Sequence, residues 1–136
     1  MSNHNTFRLA ADVSATMRAE LLRMFPPRLS RVYCSSITMG YRVPGNVDFP
    51  AEMTDAVVYG VHRSPDHEAL LVRIGGETLR PDGTPFFLTL STGPGVAPVR
   101  AGEVDHSVVE YLENGVVFGV QFKLFPLWQQ QHTVTA

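Results

Sequence analysis

Val116, Phe118, Val120, Phe122 and Leu124 put an apolar side chain at every second position of "VVFGVQFKLFPL". That period belongs to a strand with one face buried. Two more β-rich runs, "TDAVVYGVH" and "EALLVRIGG", flank "RSPD", and a Ser-Pro-Asp turn between such runs predicts a hairpin. "RVYCSSITM", from Arg31 to Met39, reads as one strand with an exit loop at "RVPGN". "FFLTLS" follows the turn signal "RPDGTP" and reads as another.

Helical signals are few. Asp12 is expected to cap a helix in which Val13, Met17 and Leu21 recur every four residues, joined by Leu22 and Phe25, until Pro26 and Pro27 stop it. "AGEVDHSVVEYLENG" is expected to hold a short helix ending at Asn114 and Gly115. The predicted order is therefore helix, strand, hairpin, strand, short helix, strand, an α+β domain with mostly antiparallel pairing.

A chain of 136 residues with 44% hydrophobic and 18% charged content is expected to form one domain over residues 1–136, with flexible tails at 1–10 and 129–136. No apolar run approaches the roughly 18 residues of a membrane span, and no basic-then-apolar leader opens the chain. A soluble, cytoplasmic protein with no membrane partner is expected. The single cysteine, Cys34, lies in an apolar run, the setting of a buried inert thiol. Thirteen acidic against eleven basic residues give a net charge of -2, which argues against charge-driven binding of long nucleic acid.

"CSSITMGYRVPG" and "PFFLTLSTGPGV" repeat one phrase: apolar, Thr, apolar, then a Pro-Gly pair, with the threonines at 38 and 89. With their flanking text, "LLRMFPPRLSRVYCSSITMGY" and "TPFFLTLSTGPGVAPVRAGEV", they resemble the two-histidine phosphoesterase superfamily, and within it the RNA-repair branch that includes the phosphodiesterase domain of fungal tRNA ligases. The resemblance runs from about residue 13 to 125. It implies a two-lobed fold of mostly antiparallel sheets around a pseudo-twofold cleft. In that family each lobe supplies a strand with His-apolar-Thr-apolar; the histidines act as general base and acid, and the threonines hold the phosphate. On a strand, i and i+2 share a face, so the pair projects together.

Both histidines are replaced here. Ser36 stands two residues before Thr38, and Phe87 two residues before Thr89. Neither a hydroxyl nor a phenyl ring exchanges a proton near neutral pH. The resemblance then implies a pseudoenzyme that keeps a ligand cleft: Ser36, Thr38 and Thr89 offer hydroxyls to phosphate, Arg42 a charged donor, and Tyr41 and Phe87 rings for a nucleobase. No catalytic residue, metal ligand or cofactor is expected.

The expected function is non-catalytic binding of a small phosphodiester or nucleotide, such as a cyclic nucleotide or cyclic oligonucleotide signal. Relatives encoded by viruses of bacteria degrade cyclic nucleotide immune signals, so a non-cleaving cousin would act as a sponge in phage anti-defence. One alternative is a divergent active phosphodiesterase acting on cyclic phosphate or RNA ends, with His106, next to Asp105 and near Glu103, as its base. A second is a structural or interaction domain with a vestigial cleft. His62 and His67, at the ends of "HRSPDH", are expected to be solvated, and His4 and His132 to lie in the tails. The sheet edges leave room for a homo-oligomer.

Overall fold

The computed structural model describes residues 6–98 and 106–127. Seven strands form one sheet: β1 (Thr6–Asp12), β2 (Arg31–Val32), β3 (Ser36–Pro44), β4 (Thr54–Arg63), β5 (His67–Ile74), β6 (Phe87–Thr92) and β7 (Val109–Pro126). Helix α1 (Ala15–Met24) follows β1, and a 3-10 turn (His106–Val108) leads into β7. The sheet order is β2-β6-β5-β4-β7-β1-β3, and every pairing is antiparallel. One helix against a mostly antiparallel sheet is an α+β architecture. No helix among the described residues is long and apolar enough to cross a membrane.

The strand predicted for Arg31–Met39 is broken at Cys34, whose φ is +62°. Left-handed backbone costs a residue with a Cβ roughly 1–2 kcal/mol. The break lets one stretch of chain serve both ends of the sheet. Tyr33 and Cys34 donate their N–H groups to the carbonyls of Leu90 and Thr89 on β6, at 3.0 and 2.7 Å. Val13 then donates to the Ser35 carbonyl at 2.9 Å, and β3 continues along β1. The sheet therefore curls into a half-barrel, bringing β3 near β6.

Ile37, Val58, Leu70, Val72, Leu88, Leu90, Phe118 and Val120 fill the concave side, and Leu21 of α1 and Phe25 at its C-cap pack onto them. A fully buried side chain of this kind contributes about 1.5–3 kcal/mol. The alternation of β7 is as predicted, with Phe118, Val120 and Phe122 buried between more exposed neighbours. The central hairpin is also as predicted, with β4 and β5 joined through Ser64, Pro65 and Asp66.

Three expectations are corrected. Residues 6–10, expected in a flexible tail, belong to β1, which is paired on both sides by β7 and β3. With Asp12 extended in that strand, Ser14 caps α1, its hydroxyl accepting the Met17 N–H at 3.2 Å. Of the short helix expected over residues 101–115, residues 101–105 lie outside the described residues, His106–Val108 form only the 3-10 turn, and the rest is strand: β7 starts at Val109 and bulges, so that Leu112–Gly115 stand against Tyr59 alone. β-branched and aromatic residues in "VVEYL" and the pairing offered by β4 outweigh the local helix signal.

Candidate functional site

The N-terminal strand supplies the residue that organises the site. Arg8 lies on β1 directly opposite Phe125 of β7, and Ala10 lies opposite both Thr38 and Lys123. Direct register partners share a face. Arg8, Ala10, Asp12, Ser36, Thr38, Lys123 and Phe125 therefore stand together on the convex side, while Ile37 and Phe122 point into the core.

The Arg8 guanidinium reaches along β3. Nη1 donates to the Thr38 hydroxyl at 2.9 Å and Nη2 to the Ser36 hydroxyl at 3.2 Å. Its plane rests on Phe125, 5.0 Å from the ring centroid. Its Nε is buried and has no acceptor among the described residues, and no carboxylate among them lies within ion-pair distance of it. Lys123 is different: its Nζ meets the Asp12 carboxylate at 3.2 Å. Ala10, wholly buried, is the floor between these side chains.

The sequence-predicted residues fall into two groups. Ser36 and Thr38 are joined by Arg8 as described. Tyr41 and Arg42 oppose Arg8 across a bulge in β3; both are exposed, and Arg42 has a φ of +56°. Phe87 and Thr89 lie half-buried on β6, alternating with Leu88 and Leu90 of the core. No hydrogen bond or ring contact joins Phe87 or Thr89 to Ser36 or Thr38 among the described residues. The segment just before β3 is tied to β6 by the Tyr33 and Cys34 N–H groups on the Leu90 and Thr89 carbonyls.

His62 and His67 are not the solvated hairpin residues expected. His62 is 1% exposed and its ring stacks on His67, with centroids 5.1 Å apart and planes at 16°. The register explains it: the turn takes only residues 64–66, so His62 stands inside the strand opposite Ala69, which in turn opposes Thr89. Thr89, Ala69 and His62 therefore make one row across three strands. The side chain of His106, with His4 and His132, lies outside the described residues.

Two buried groups serve the fold. Burial pushes the Cys34 thiol up to about 11, with Arg18 pulling weakly the other way. Burial also pushes the Glu68 carboxyl up, but the Arg28 N–H, the Ser91 hydroxyl and the Arg63 guanidinium together outweigh it and hold the group below its ordinary value. Among the described residues no three or more His, Cys, Asp or Glu side chains are grouped to hold a metal ion.

No family model, curated protein or solved structure matches this chain. Arg8, Lys123 and Phe125 are the site residues that sequence reading missed. Arg8 sits in a stretch taken for a tail, and only the pairing of β1 with β3 and β7 brings the three residues together.

Proposed function

We propose that this chain binds a small phosphodiester or nucleotide, such as a cyclic nucleotide or cyclic oligonucleotide signal, without cleaving it. The observation that carries the reading is the engagement of both the Ser36 and Thr38 hydroxyls by one guanidinium that no carboxylate among the described residues neutralises. Each hydroxyl oxygen accepts from Arg8, so its own proton remains to donate outward. Those two O–H groups and the outward N–H groups of Arg8 suit the oxygens of a phosphate. Tyr41, 60% exposed, offers a ring for the rest of the ligand.

Binding without turnover follows from what replaces the histidines of the two-histidine phosphoesterase pattern. Ser36 and Phe87 cannot shuttle a proton near neutral pH, and losing a general acid or base costs about 10²–10⁴ in rate each. A stoichiometric binder of a cyclic nucleotide signal would act as a sponge. The experiment is to incubate the purified protein with cyclic mono-, di- and trinucleotides and analyse the bound fraction before and after heat denaturation. Intact nucleotide at one equivalent, lost in Arg8→Gln and Thr38→Ala, is the expected result. Linear product at many turnovers would sink it.

One observation favours the divergent-phosphodiesterase reading: buried His62 shares a face and a row with Thr89. Turnover abolished by His62→Gln would decide for it.

A further inference from the structure

Asp12 ends the row of side chains on the convex face. It stands opposite Ser36 on one side and Gln121 on the other, and its carboxylate takes up the charge of Lys123. The Arg8 guanidinium points the same way, since its two hydroxyl partners lie opposite Ala10 and Asp12. An anion held by Arg8 and the Ser36 hydroxyl would therefore have the Asp12 carboxylate as its neighbour. Lys123 is half-exposed and already paired, leaving Arg8 as the cation that no carboxylate of the row offsets. Arg42 lies at the far end, in the bulge that opposes the Arg8 backbone.

We propose, resting on the phosphate-binding reading above, that Asp12 is a charge filter that makes the site select singly charged phosphodiesters over doubly charged phosphomonoesters. The physical argument is one of difference. Both ligand types gain from Arg8 and the two hydroxyls, but a terminal phosphate carries up to one more unit of negative charge at neutral pH. That extra charge is repelled by a carboxylate whose own side chain is only 30% exposed. Discrimination here comes from a repulsive element rather than from an added contact. Lys123 sets how strongly the filter acts, because its ammonium offsets part of the Asp12 charge.

The test is isothermal titration with 3′,5′-cyclic AMP and cyclic di-AMP as diesters and AMP as the monoester, at pH 7.5, on the full chain. The diester-to-monoester affinity ratio is expected to be about tenfold higher in wild type than in Asp12→Asn, the order set by one added charge near a half-buried carboxylate. Asp12→Asn should tighten the diester by about tenfold and AMP by about a hundredfold, so that the ratio moves toward AMP. Lys123→Gln moves the ratio the opposite way, because it leaves the carboxylate unopposed; a merely structural role for the pair would shift both variants in one direction. A diester-to-monoester ratio that Asp12→Asn leaves unchanged, with diester still bound, overturns the filter and leaves the binding reading standing. No binding of any of the three nucleotides to wild type or Asp12→Asn overturns both.

Discussion

The backbone N–H of Arg28 donates to the Glu68 carboxylate at 2.9 Å, tying the segment after α1 to the start of β5. Ser91 donates its hydroxyl to the same oxygen at 2.6 Å, and Arg63 engages the other. A carboxylate 1% exposed with three donors is a lock on one end of the half-barrel.

Glu68→Ala leaves the Arg28 N–H, the Ser91 hydroxyl and the Arg63 guanidinium without their acceptor. Loss of one partner from a buried charged set costs about 3–5 kcal/mol. Urea unfolding at pH 7 should show a lower midpoint at an unchanged m-value. Glu68→Gln, which keeps the shape, should lose less.

The same group sets an acid response. Its folded pKa lies below the ordinary 4.5, so its contribution is complete above about 4.5 and is lost as pH falls through the folded value. Stability followed by urea midpoint should therefore drop more steeply below about pH 4.5 in wild type than in Glu68→Gln. Parallel curves would contradict the lowered pKa.

Gly115 lies in the β7 bulge with no room for a side chain: a Cβ there would come within 2.5 Å of Val57 Cγ1 and 3.4 Å of the Val58 carbonyl oxygen. Overpacking of this kind costs about 1–3 kcal/mol, which Gly115→Ala should show in denaturant. Adding Val57→Ala removes the first clash. The double variant should then lose less than the sum of the two single losses.

Cys34 should be inert in the folded protein. With its pKa at about 11, roughly one thiol in 10³ is ionised at pH 8, and the residue is fully buried besides. Ellman's reagent should react with about one equivalent in urea and with almost none in its absence, and rapid native labelling would refute the burial.

Ser14→Ala removes the α1 cap and should cost about 0.5–2 kcal/mol. Ser14→Asp should restore most of it, since an aspartate oxygen can accept the same Met17 N–H.

These positions also mark what local sequence can convey. The period-two pattern of β7, the Ser-Pro-Asp hairpin and the strand at Phe87 are local signals, and each corresponds to an observed element. β1 carried no such signal: "TFRLAAD" is short and mixed in polarity, and becomes strand because β7 and β3 pair with it from both sides. The same long-range pairing assembles Arg8, Lys123 and Phe125 with Ser36 and Thr38, so only the β3 half of that group was legible beforehand. His62 was misjudged because turn length decides whether a flanking residue is in the loop or the sheet.

β1 and the end of β7 pair residue by residue, Phe7 with Pro126 and Asp12 with Gln121. β1 is synthesised before β7 and gains its second neighbour only once β7 has been made. Until then one edge of β1 stays open to any competing strand, and the half-barrel cannot close from the N-terminus onward. A partly made chain held at residue 98 would lack β7 altogether, and with it the bridge that joins β4 to β1. The Arg8 site therefore needs β7 in place, and truncation from the C-terminal side would remove Lys123 and Phe125 before reaching the β4–β5 hairpin.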